Sequence, residues 1–218
     1  MIGPGRRNSS VEADMDGILA TRNRNAHRPF HIYSGHTYFI TGRCKERLPF
    51  FLSHKRKRLF QKVLKESSER FGIGIFAWAV LHNHYHLLCS LRRDRFRREA
   101  QSVTPNNDGD GKYSMVEFIR KLHKDTARVI NKEDHVLGRE VWYQYWDYCI
   151  RNKPDFWRHF NYIFQQPLKH GLVKSLPAAY DYPYSSNQVW VERFGRSGMS
   201  ECLEKYPVKD WTPTIDDE

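Results

Sequence analysis

Short β-branched and aromatic runs alternate along this chain with segments of helical period, and few folds accommodate that alternation. His36–Thr41, within GHTYFITGR, is a strand-type run. After Pro49, the residues Leu59, Phe60, Val63, Leu64 and Phe71 recur at helical spacing. They predict a helix with Ser53 as its N-cap and Gly72 as its stop. GIGIFAWAVL, ending at Leu81, and the following HNHYHLLCSL read as two antiparallel strands joined by a tight connection. A second helix is predicted over 114–131, burying Met115, Phe118, Ile119, Leu122, Val129 and Ile130. VWYQYWDYCI is a fourth strand with aromatics on both faces. Asn152 and Pro154 then open a third helix, which Pro167 is expected to stop. The order β-α-β-β-α-β predicts an α+β, ferredoxin-like (RRM-like) fold. In it two helices pack on one face of an antiparallel sheet, with a further helix after the last strand.

The regular part is expected over 31–173. Residues 1–30 are polar and aperiodic and read as a flexible arm. Residues 174–218 read as a C-terminal extension. No run approaches the ~20 apolar residues of a membrane span, and the N-terminus lacks the apolar core of a secretory signal. Cys44, Cys89, Cys149 and Cys202 are far apart, which excludes a C-x-x-C zinc knuckle and suits reduced, cytoplasmic thiols.

Thirty-six Lys and Arg against 25 Asp and Glu give a formal net charge of +11. With 14% aromatic residues, that balance suits a polyanionic partner, nucleic acid above all. The charge is uneven. Residues 43–70 carry ten Lys/Arg against three Glu, and 92–98 carry five Arg against one Asp, whereas 201–218 carry six acids against two Lys. Candidate phosphate contacts are Lys55, Arg56, Lys57 and Arg58, then Arg92, Arg93, Arg95 and Arg97, then the i, i+4, i+8 stripe Arg120, Lys124 and Arg128. Trp142 and Trp146, with Tyr143 and Tyr145, are candidate base-stacking platforms. A solvated helix face or a packed core would account for each of these equally simply.

The densest chemical feature is His82-Asn83-His84-Tyr85-His86. On a strand His82, His84 and His86 share one face. Two imidazoles at i, i+2 can hold one metal ion, or can be an ordinary hydrogen-bonded pair. A third ligand must come from elsewhere. On the third helix Asp155, His159, Tyr162 and Gln166 fall on one stripe, so Tyr162 and Gln166 can face one site together.

NHYHLLCS resembles the His-hydrophobic-His strand of the HUH single-strand endonuclease superfamily. FNYIFQQPLKHGLV resembles the nucleophile helix of the REP-associated tyrosine transposases, and DYPYSS resembles the segment that follows it there. The likeness covers about 31–190 and keeps the motif order. It implies an HUH fold with His84 and His86 as metal ligands, Tyr162 as nucleophile and Gln166 as the polar residue completing the metal site. The chain departs from the family pattern at His82, Phe164 and the Gln166-Pro167 pair. His82 therefore stays a rival to Gln166.

The implied activity is metal-dependent endonuclease and strand transfer on single-stranded or hairpin DNA, beside palindromic repeats. A phenol, with pKa about 10, needs nearby cations to act as a nucleophile. Its attack gives a 5′-phosphotyrosine that a 3′-OH can later reverse. Imidazole and amide donors suit Mg²⁺ or Mn²⁺, with no small-molecule cofactor. The implied setting is the bacterial cytoplasm, on the chromosome, as a monomer or homodimer. Two rival readings remain. One is a non-catalytic or domesticated nucleic-acid-binding module of RRM-like fold. The other is a metallohydrolase using His82, His84 and His86.

Overall fold

The computed structural model describes residues 36–91 and 110–208. The arm at 1–30, the basic run Arg92, Arg93, Arg95 and Arg97, and the last ten residues lie outside the described residues. Four strands, β1 (Thr37–Cys44), β2 (Ile73–Val80), β3 (His84–Leu91) and β4 (Trp142–Cys149), form one sheet in the order β2-β3-β1-β4. Every neighbouring pair is antiparallel. The chain order β1-α1-β2-β3-α2-β4, with α1 at His54–Arg70 and α2 at Asp110–Glu133, makes this the ferredoxin-like arrangement. Three more helices follow: α3 (Lys153–Lys169), α4 (Leu176–Tyr180) and α5 (Asn187–Lys205), the last broken at Gly195. Among the described residues no helix is long and apolar enough to cross a membrane.

Local signals explain most boundaries. The Ser53 hydroxyl accepts from the Arg56 amide at 3.3 Å and starts α1. The Asn152 side chain accepts from the Asp155 amide at 2.9 Å, with Pro154 in the first turn of α3. Pro167 does not stop α3. A proline this close to the C-terminus forfeits a single ladder bond, so the helix continues to Lys169. It ends in a Schellman motif. Gly171, with φ +65°, donates to Leu168 O at 3.0 Å, and Leu172 donates to Pro167 O at 2.8 Å. α2 starts earlier than its apolar period indicated, and Val129 is exposed rather than buried.

The strands are apolar on both sides because helices cover both faces. On one face Tyr38, Ile40, Tyr85 and Leu87 meet Phe60 of α1 and Phe118 of α2. On the other, Ala77, Ala79 and Leu88 meet Phe156, Phe160, Ile163 and Phe164 of α3. The C-terminal segment closes over this second face. Asn187 Nδ2 donates to Phe164 O and Ala179 O, and Trp190 Nε1 donates to Phe76 O. The DYPYSS stretch runs along the outer edge of β2, with an Ala79–Ser185 bridge and a Val80 N to Tyr184 O bond of 2.9 Å. That covers one sheet edge; the outer edge of β4 has no pairing segment among the described residues.

Gly42 is the tightest point of the first core. It pairs with Tyr85, whose ring lies over it. A Cβ on residue 42 would sit 2.3 Å from Tyr85 Cε1. The ring is fully buried, and its hydroxyl bonds His123 Nε2 at 2.8 Å, so it has nowhere to go. Gly42→Ala is expected to cost about 1–3 kcal/mol, as overpacked cores do. Urea unfolding should show this as a lower midpoint with unchanged slope, and an unchanged midpoint contradicts the packing described.

Candidate active site

His84 and His86 alternate with Tyr85 and Leu87 on β3, so both imidazoles face α3. Their ring centroids are 5.0 Å apart. His86 is fully buried and His84 nearly so. Neighbouring side chains set how each ring is held. His84 Nδ1 lies 2.7 Å from Asn83 Oδ1, and Asn83 Nδ2 donates to Arg47 O at 3.1 Å. Because the asparagine amide gives its N–H to a carbonyl, its oxygen can only accept. His84 Nδ1 must therefore carry the proton, which leaves Nε2 as a lone-pair donor. That Nε2 is buried with no hydrogen-bond partner among the described residues. Burial holds the His84 imidazole well below its usual range, reinforced by His86, His170, Lys169 and Arg43 nearby. That direction favours the neutral imidazole, the form that can ligate a metal. His86 Nδ1 lies 2.8 Å from Thr41 Oγ1 across the β1–β3 pair, and Phe39 stacks on its ring at 5.5 Å.

α3 supplies the opposing wall. The Tyr162 ring stands edge-on to His86, with centroids 5.3 Å apart, and is 5% exposed. Phe39 touches Tyr162 as well, at 5.8 Å, so one β1 side chain braces both groups. One turn on, Gln166 Nε2 donates back to Tyr162 O at 3.2 Å. Its Oε1 is buried with no hydrogen-bond partner among the described residues. One turn before, His159 stacks on Tyr148 at 4.9 Å and meets Asp155 through Nδ1. At the helix end Lys169 Nζ sits 5.4 Å from the Tyr162 ring centroid, a cation–π contact. His170, at the C-cap, packs edge-on to His84 at 4.7 Å.

The structure therefore brings His84 and His86 of β3 to Tyr162 of α3, with Gln166 one helical turn beyond Tyr162. Two buried acceptor atoms with no hydrogen-bond partner among the described residues, His84 Nε2 and Gln166 Oε1, fit a cation. Among the described residues no three His, Cys, Asp or Glu side chains form a ready metal cluster.

Other sequence expectations are corrected. His82 lies in the turn before β3, not on the strand face with His84 and His86. Leu81 N to His84 O, at 2.9 Å, closes that turn. Trp142 is core, not a stacking platform. It stacks on His123 at 4.5 Å and donates to Thr126 Oγ1 at 2.9 Å. Lys57 is buried and donates to Tyr182 OH at 3.0 Å. Arg56 is committed to Glu133 and Asp134. Lys55 pairs with Glu133, and Arg58 stays exposed. Arg120, Lys124 and Arg128 are exposed as expected. Yet α1 and α2 pack on the face of the sheet opposite α3, so none of these basic side chains borders Tyr162. Trp146 is on the other face: it pairs with Thr41, on the His86 side, and is 37% exposed. Tyr180, Tyr182 and Tyr184 are buried and bonded to Ser200, Val80 O and His54, away from the two histidines. Asn83, Thr41, Phe39, Lys169 and His170 were not singled out as site residues. Only the FNYIFQQPLKHGLV likeness brushed the last two.

No family model matches the chain. Two curated proteins do. The chain is 27% identical over 157 residues to an inferred REP-associated tyrosine transposase of Haemophilus influenzae, covering 70% of this chain and 80% of that protein. It is 27% identical over 193 residues to a REP-associated tyrosine transposase of Escherichia coli, covering 88% and 93%. The fold matches a solved REP-associated tyrosine transposase bound to a REP hairpin, with a TM-score of 0.53 and 22% identity over 91% of this chain and 94% of that one. Along most of its length this chain is similar in sequence to REP-associated tyrosine transposases, and it shares the fold of a solved one.

Proposed function

We propose that this chain is a DNA nicking-and-joining enzyme of the tyrosine transposase type. Its substrate is single-stranded DNA beside a hairpin-forming repeat. The observation that carries the reading is Tyr162 held edge-on to His86 on the face that also holds His84 and Gln166. The phenol oxygen attacks phosphorus. The new Tyr162 Oη–P bond replaces the P–O3′ bond, the phenolic proton leaves to solvent, and the departing 3′ oxygen takes up a proton. The product is a 5′-phosphotyrosine and a free 3′-OH. Attack by a 3′-OH reverses the step and joins strands without an external energy source. Lys169 places positive charge beside the phenol and the incoming phosphate.

His84, His86 and Gln166 would hold a divalent cation, Mg²⁺ or Mn²⁺. Bound there, the ion supplies Lewis-acid polarisation of a phosphoryl oxygen. Asn83 keeps His84 in the ligating tautomer, and Thr41 fixes the His86 ring. The relatives in whose likeness this reading stands are bacterial, and the proposed site of action is chromosomal DNA in the cytoplasm.

Two experiments test the reading. Hairpin DNA with an unpaired flank is incubated with the protein and Mn²⁺ and run on a denaturing gel. A 3′-end label should appear on a protein-linked band and a 5′-end label only on a shortened strand. Tyr162→Phe should abolish the band and keep binding. Cleavage without a protein-linked species, or an adduct that survives Tyr162→Phe, overturns the mechanism. The second experiment concerns the outer support of the ligand. Asn83→Ala should raise the Mn²⁺ concentration for half-maximal cleavage roughly 10- to 100-fold, as loss of a second-sphere partner does. An unchanged requirement would show that the Asn83 bond does not tune His84.

A further inference from the structure

The basic helices lie across the sheet from Tyr162, so the strand that reaches the site needs other contacts. The outer edge of β4, which has no pairing segment among the described residues, provides them. Between Gly42 and Cys44 the β1–β4 register slips: Gly42 pairs with Tyr145 and Cys44 with Trp142. Tyr143 and Gln144 together therefore oppose the single residue Arg43, which is a β-bulge. Bulges re-aim side chains and cluster beside active sites. Here the bulge brings Tyr143 to Arg43, whose guanidinium carbon lies 5.9 Å from the Tyr143 ring centroid. Lys45 Nζ lies 5.4 Å from the same ring while pairing with Glu140 at 3.0 Å.

This cluster abuts the site. Arg43 pairs across the sheet with His84, and Trp146 pairs with Thr41, which bonds His86. Trp146 is thus two strand spacings from His86, about 10 Å. Tyr143 is 50% exposed and Trp146 37%, so both rings are open to solvent.

We infer that Arg43, Tyr143 and Trp146 form a binding subsite for unpaired nucleotides, which holds the DNA strand next to the scissile phosphate. Two exposed rings offer stacking faces that a base can use only when it has left a duplex. Arg43 between ring and site offers the phosphate contact. The cationic side chains favour a polyanion over an apolar or acidic partner. That the held strand is the one being cut rests on the transposase reading above.

The test uses the full chain carrying Tyr162→Phe, so the probe stays intact, and an oligothymidylate with one central 5-iododeoxyuridine. After irradiation, peptide mass spectrometry should place the cross-link on Tyr143 or Trp146. Trp146→Ala should weaken binding of the oligothymidylate roughly 5- to 100-fold, the range for loss of one stacked base. Trp146→Phe should keep most of it, and binding of a thymidylate–adenylate duplex should not change. Cross-links confined to other elements overturn the subsite, as does single-strand binding unaffected by both Trp146→Ala and Tyr143→Ala in variants that melt like the parent. The two readings fail separately. A covalent adduct with an insensitive strip leaves the tyrosine chemistry standing, and a cross-linked strip without an adduct leaves the subsite standing.

Discussion

The antiparallel register between β1 and β3 sets Gly42 against Tyr85 on one face of the sheet and Thr41 against His86 on the other. A slip of one residue would exchange the faces, putting imidazoles into the α1–α2 core and the Tyr85 ring into the site. Gly42 makes that slip costly, because only a residue without a Cβ fits beneath the buried tyrosine. The same register gives His86 its hydroxyl partner and brings Arg43 beside His84. Packing on the side away from the chemistry therefore decides where the chemistry stands.

The site is built between two elements, each fixed at its ends. β3 enters from a closed turn whose Asn83 ties Arg47 O to the His84 ring. α3 starts at the Asn152 cap and ends beyond Pro167 in the Gly171 Schellman turn. The extra residues past Pro167 set Lys169 over Tyr162 and His170 against His84. Phe39 of β1 touches His86, His159 and Tyr162, joining the two walls through one ring. In the proposed reaction, a nucleophile held by packing loses little freedom, which is how positioning lowers a barrier.

The order of strands and helices was legible because both periods were strong and the helix caps Ser53 and Asn152 unambiguous. The approach of Tyr162 to His86 also followed from periodicity, joined to the resemblance. What escaped depended on which face an element turns. Arg120, Lys124 and Arg128 do form an exposed stripe, but sequence spacing does not say on which side of the sheet α2 lies. Lys57 sits within a basic run and is nonetheless buried, because Tyr182 and Tyr184, more than a hundred residues away, enclose its ammonium. Trp142 and Trp146 look alike in VWYQYWDYCI; the bulge between them leaves one in the core and the other beside the site.

The central claim is that the face between β3 and α3 is a preorganised centre in which two imidazoles and one amide oxygen share a cation next to Tyr162. The most direct measurement is the anomalous diffraction of crystals soaked in Mn²⁺ and recorded at the manganese edge. The account predicts one strong peak within coordination distance of His84 Nε2, His86 Nε2 and Gln166 Oε1. A peak held instead by His82 or His170, or no peak between β3 and α3, would contradict it.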